Sequence, residues 1–301
     1  MKTKLTRAVL LLTAMGSLTF VSCKKEKNPS SGNTNTEAVA AASEDDAVLE
    51  STFNEAFDDA SGIDDASAGE DIGLYGSGGF GIFSQVNPVG TGDVVNSPQG
   101  RCFTVTVEPM ARGVFPKTVT IDFGTGCEVR GHLRKGKIII TYSGKLHIPG
   151  SKAVTTFDNY YLDSFKIEGK HTLENTSSNN QRSFTVTIEE GKVTNVNSGK
   201  WCKWNSTRNI TQIEGNGTPF WPLDDIFRIT GSTRGECSDG KSWTAETTEP
   251  LIKKFTCRWI VKGIIKITVN NTTGELNYGD GTCDNKATVT VNGEVRVIRL
   301  R

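Results

Sequence analysis

Histidine is scarce in this 301-residue chain, with only His132, His147 and His171. Only His171-Thr172-Leu173-Glu174 has even a loose metal-like spacing, and on a strand those two side chains point to opposite faces. The chain also lacks Cys-x-x-Cys, His-Glu-x-x-His and Gly-x-Ser-x-Gly, so the common zinc and hydrolase motifs are missing. The adjacent acids Asp224-Asp225 and Glu189-Glu190 read as solvated turns. No enzymatic activity, metal or cofactor is therefore expected. Beyond residue 22 no apolar run is long enough to cross a membrane as a helix. Basic residues after Arg101 are spread along strand-like runs with no arginine-rich cluster, which argues against nucleic acid. Basic side chains are absent altogether from residues 28–100, which carry 13 acids, whereas residues 101–301 carry 28 basic and 20 acidic side chains. The zero net charge thus hides a segment at −13 and another at +8.

What is present begins with a targeting pattern. Lys2, Lys4 and Arg7 precede the apolar run Ala8 to Val21, the layout of a signal peptide over residues 1–22 and too short for a retained anchor across a ~30 Å hydrocarbon core. The run ends in Phe20-Val21-Ser22-Cys23, where a small residue precedes a cysteine, and continues as Lys24-Lys25-Glu26-Lys27 into a Ser/Asn/Thr-rich stretch. This start resembles a bacterial lipobox, with Phe20 in a position that usually holds Leu. With the later Cys and Gly pattern, the chain resembles an uncharacterised cell-envelope lipoprotein family of the Bacteroidota type. The resemblance implies that Cys23 carries several acyl chains, that the membrane is a partner through this lipid anchor, and that the protein resides at the outer membrane.

Residues 23–42 read as the lipidated cysteine and a disordered tether, because the stretch after the basic cluster is Asn, Ser, Thr and Ala without aromatics. Residues 43–62 read as an acidic amphipathic helix capped by Ser43, with Val48, Leu49, Phe53, Ala56, Phe57 and Ala60 on one face. Residues 63–99 are a Gly/Ser-rich loop with one short strand near Phe80-Ile82-Phe83. From residue 100 to 301 the period switches to two, as in Phe103, Val105 and Val107 against Thr104 and Thr106. Turn signals at Ser143-Gly144, Glu190-Gly191, Asp239-Gly240 and Asn292-Gly293 separate roughly twelve to fifteen strands. The expected fold is all-β: an antiparallel meander curled into a sandwich or open barrel, with one N-terminal helix docked on it.

An internal repeat relates Ile121-Asp122-Phe123-Gly124-Thr125-Gly126-Cys127 to Leu276-Asn277-Tyr278-Gly279-Asp280-Gly281-Thr282-Cys283. A weaker echo links Phe165-Lys166-Ile167-Glu168-Gly169 with Phe227-Arg228-Ile229-Thr230-Gly231. With Cys23 committed to lipid, an even six cysteines remain, which in an exported chain favours disulfides over metal. Six cysteines allow 15 pairings. The repeat suggests Cys102–Cys127 and Cys257–Cys283, leaving Cys202 with Cys237. Asn277, Asp280, Asp284 and Asn285 resemble a calcium loop in composition, but the first repeat copy has Thr125 where the second has Asp280, so turn chemistry is the better reading.

The five tryptophans, Trp201, Trp204, Trp221, Trp243 and Trp259, all fall within residues 201–259. Either they fill the core beside Cys202, Cys237 and Cys257, the preferred reading, or some form a glycan-binding surface, with Trp221, Trp201 and Trp204 as the candidates. The expected function is a lipid-anchored, non-catalytic binding or structural module. Its rivals are a glycan binder and a carrier holding an apolar ligand between curved sheet and helix.

Overall fold

A computed structural model describes residues 37–43, 49 and 72 and, apart from 130, 180 and 219–221, residues 102–300. The two-residue period becomes fourteen strands: β1 (Thr104–Glu108), β2 (Lys117–Asp122), β3 (Cys127–Val129), β4 (His132–Tyr142), β5 (Lys152–Leu162), β6 (Phe165–Asn175), β7 (Ser183–Asn195), β8 (Trp201–Glu214), β9 (Ile226–Cys237), β10 (Ser242–Lys254), β11 (Ile260–Val269), β12 (Thr272–Asp280), β13 (Lys286–Val291) and β14 (Glu294–Arg299). All belong to one antiparallel sheet whose spatial order follows the chain from β1 to β14, except that β2 pairs with β4 and β3 lies beside β4 off that path. The sheet is open, with β1 and β14 as its edges.

Strict alternation sends one set of side chains inward. A row of register partners runs across the sheet through Val119, Ile140, Thr155, His171, Ile188, Ser206, Thr233, Ala245 and Ile267, all of them buried. Curling of the sheet over its inner face, together with Val39, Leu49 and Ile72 packed into the same core, encloses Trp243, Tyr142, Phe123 and Phe184. Each large apolar side chain so buried contributes about 1.5–3 kcal/mol.

Curvature enters where the register slips. Shifts occur between Glu168 and Lys170 on β6 opposite Lys192 and Glu189 of β7, and between Ile188 and Gly191 on β7 opposite Ser206 and Trp204 of β8. A residue added to one strand of a pair bends it and increases its twist. The echo between Phe165–Gly169 and Phe227–Gly231 reflects this need. Gly169 has φ +119°, and a Cβ there would lie 2.7 Å from the Glu190 carbonyl oxygen. At Gly231 a Cβ would lie 2.1 Å from the carbonyl oxygen of Thr207. Glu190-Gly191, expected as a hairpin turn, is such a bulge inside β7, with Glu190 at φ 53°. A left-handed residue beside a glycine serves both purposes, and only the continuing alternation on either side tells them apart.

The three disulfides are Cys102–Cys127, Cys202–Cys237 and Cys257–Cys283, the pairing suggested by the repeat. Cys202 and Cys237 are directly opposed on β8 and β9. They close loops of 25, 35 and 26 residues, each worth on the order of 3 kcal/mol through the unfolded state.

At the N-terminal end the structure departs from expectation. Residues 37–43 are already helical (α1), so part of the expected tether is ordered, and Ser43 is not a helix cap because its Oγ donates back to the Val39 carbonyl at 2.8 Å. Val39 is fully buried against β12 and β13: a Cβ on Gly274 would meet Val39 Cγ1 at 2.5 Å and Val291 Cγ2 at 2.8 Å. Composition counts only the apolar surface a segment brings, whereas docking adds the surface of the sheet beneath it. Arg296 Nη2 pairs with Glu37 at 3.2 Å across the same contact. Leu49 is helical and buried, while the rest of 44–62 lies outside the described residues. In the loop 63–99 only Ile72 is described; it is buried, and its carbonyl accepts the Leu146 N–H at 2.9 Å. Phe80, Ile82 and Phe83 lie outside the described residues, as does Cys23.

Candidate functional site

Strand parity separates the tryptophans. Trp201 and Trp204 are three apart on β8, so they occupy opposite faces. Trp204 shares the inner face with Cys202 and Ser206 and is 2% exposed, packed so closely on β7 that a Cβ at Gly191 would lie 2.9 Å from its ring. Its candidacy for glycan contact is thereby overturned. Trp243 is likewise 2% exposed, and Trp259 packs at the edge of the same core. Trp221 lies outside the described residues. Trp201 is half-buried and faces outward at the start of β8.

Around Trp201 the register assembles a wet surface from β5 to β8. Tyr161 pairs with Lys166, Lys166 with Thr194, and Thr194 with Trp201. The adjoining outward row is Glu168, Lys192, Lys203 and Glu236. The Nζ of Lys203 lies 4.9 Å from the indole centroid and that of Lys192 lies 5.9 Å away, within cation–π range. Glu168 bridges two strands, with Lys166 Nζ at 2.9 Å and Lys192 Nζ at 3.7 Å. The hydrogen bond from Lys166 holds the Glu168 carboxyl below its ordinary pKa, and the same bond holds the Lys166 ammonium above its own. These exposed pairs fix side-chain positions more than they add stability. Sequence reading singled out Trp201 but missed its setting, because Lys192 reaches the indole, and Tyr161 and Lys166 join its row, only through pairing register.

The inner face carries a polar patch within the apolar row. Ser206 Oγ lies 3.0 Å from Thr233 Oγ1, and Arg208 Nη2 donates to that oxygen at 3.1 Å. His171 is fully buried there, and desolvation pushes its pKa down to about 4, so it is neutral at pH 7. Glu174 points to the outer face and pairs with Lys152, so the loose histidine–glutamate spacing brings no two ligands together.

Asp225 corrects the reading of Asp224-Asp225 as a solvated turn. Asp224 is exposed, but Asp225 is 2% exposed and takes a hydrogen bond from Gln212 Nε2 at 2.7 Å. Burial raises its pKa to about 6; Arg182 opposes the rise and Asp224 adds to it. Glu189 and Glu190 are exposed, with Glu189 ion-paired to Lys170.

The acid and amide side chains of the second repeat bond to their own backbone. Asn277, Asp280 and Asp284 accept the N–H groups of Gly279, Thr282 and Lys286 at 2.8, 3.0 and 2.8 Å. Among the described residues no three His, Cys, Asp or Glu side chains are grouped so as to hold a metal ion. No protein-family model, curated protein or solved structure matches this chain.

Proposed function

We propose that this protein is a lipid-anchored, non-catalytic binding module of the cell envelope, tethered to the outer membrane through Cys23 and presenting the wet face of its curled sheet to a ligand. The observation that supports the reading is the closure of the cysteine inventory. The chain has seven cysteines, and the six beyond residue 100 pair among themselves, which leaves Cys23 as the one cysteine outside these disulfides. A cysteine left over beside a short apolar run and a small residue suits acylation, and three disulfides suit an oxidising compartment outside the cytoplasm.

The test is fractionation with fatty-acid labelling. The parent chain is expected in the outer-membrane fraction with incorporated label, and Cys23→Ser is expected to lose the label and leave the membrane. Unchanged partitioning of Cys23→Ser overturns the anchor.

A further inference from the structure

We propose that the outward row Tyr161–Lys166–Thr194–Trp201, with Lys135, Lys192 and Lys203 beside it, is a binding site for an anionic polysaccharide. The proposal rests on the envelope-module reading and gives its binding surface a ligand class.

Three observations carry it. The first is spacing. Tyr161 on β5 and Trp201 on β8 stand three interstrand steps apart, about 14 Å, with Lys166 and Thr194 between them. That length exceeds a single sugar ring, so the row fits a chain running across the strands, with an aromatic face under each end and hydrogen-bonding side chains in the middle. The second is charge. Lys135 pairs with Tyr161 and extends the row on β4, so the two outward rows hold Lys135, Lys166, Lys192 and Lys203 against Glu168 and Glu236, a net of +2. A carboxylated or sulfated sugar lying on the indole meets Lys203 and Lys192 together, since both already stand within 6 Å of its centroid. The third is pre-organisation. Trp201 is held at its backbone by Ser238, whose Oγ accepts the Trp201 N–H at 3.1 Å, and Glu168 holds Lys166 and Lys192 in place. Lys166 and Lys192 therefore have less side-chain freedom to lose on binding.

The same features disfavour other partners. Membrane insertion or a protein partner calls for contiguous apolar surface, and here the two aromatics are separated by polar side chains. Single-stranded nucleic acid shares the chemistry of stacking plus cations, but not the compartment.

The experiment uses the full chain in detergent micelles and measures binding by isothermal titration to polygalacturonate, chondroitin sulfate and uncharged dextran. A single-stranded oligothymidylate and phosphatidylglycerol vesicles serve as competing probes. We expect at least one acidic polysaccharide to bind, to weaken as salt is raised, and to lose at least tenfold in affinity in Trp201→Ala and in Lys192→Ala/Lys203→Ala. Because Trp201 is half-exposed, Trp201→Ala should melt close to the parent, whereas Trp204→Ala should melt well below it. Equal binding of dextran, no binding of either acidic polymer, or unchanged affinity in Trp201→Ala overturns the site. Stronger Trp201-dependent binding to the oligothymidylate or the vesicles also overturns it, in favour of that ligand. Failure here with a labelled, membrane-retained parent removes only the site; an unlabelled, soluble parent removes only the envelope reading.

Discussion

Asp122 and Asn277, 155 positions apart in the chain, make the same turn: each side-chain Oδ1 accepts the backbone N–H two residues on, from Gly124 and Gly279 respectively, at 2.8 Å. In both copies the aromatic between them, Phe123 or Tyr278, is driven into the core. The acid-or-amide position of the repeat is therefore a local hydrogen-bond acceptor, which explains why Asp and Asn exchange there.

Removing that acceptor should loosen both halves alike. Asp122→Ala and Asn277→Ala are each expected to lower stability by about 1 kcal/mol in urea denaturation, while Asn277→Asp should stay near the parent because its oxygen keeps the bond. A larger loss at Asn277→Asp than at Asn277→Ala would contradict the shared role.

The close-approach glycines should be far less tolerant than the turn glycines. Gly231→Ala drives a Cβ to 2.1 Å from the Thr207 carbonyl oxygen, whereas at Gly240, with φ +83°, a Cβ meets nothing within 4 Å. We expect Gly231→Ala to cost more than about 3 kcal/mol or to prevent accumulation, and Gly240→Ala about 1 kcal/mol from its left-handed backbone alone. Chemical denaturation of the two variants side by side checks the ranking, and equal losses would refute the close-approach account.

Two buried titratable groups, Asp225 and His171, act on stability in opposite directions. Asp225, raised from 3.8 to about 6, holds its proton in the folded state, so its contribution is present at low pH and lost as pH rises through that window. His171, lowered from 6.5 to about 4, stays neutral when folded while the unfolded chain takes up a proton, so its contribution is lost as pH falls through that window. Each effect is on the order of 3 kcal/mol and the windows overlap, so the parent profile conceals both. Between pH 4 and 6.5, Asp225→Asn should make stability rise more steeply with pH than the parent, and His171→Gln should flatten or invert that rise. Thermal melts of all three chains across this range check the signs; parallel profiles would refute them.

The sequence by itself determined the all-β class, the alternation of faces within runs such as Phe103 to Val107, and the cysteine pairing. These features are written locally: alternation needs only neighbours, and the repeat places equivalent cysteines in equivalent turns. The opposite faces of Trp201 and Trp204 were legible in the same way, from a spacing of three within one strand. Other features were decided only by tertiary structure. Glu190-Gly191 bulges rather than turns because β6 and β8 continue past it on either side. Residues 37–43 are ordered because β12 and β13 supply the apolar surface under Val39, which a composition of alanine and polar residues does not reveal. Asp225 is buried because Gln212 on β8 and its own place before β9 enclose it, and the surface around Trp201 exists because register brings side chains from β5, β6 and β7 alongside β8. Burial and charge clustering depend on which distant segments arrive in space, and no local period encodes that.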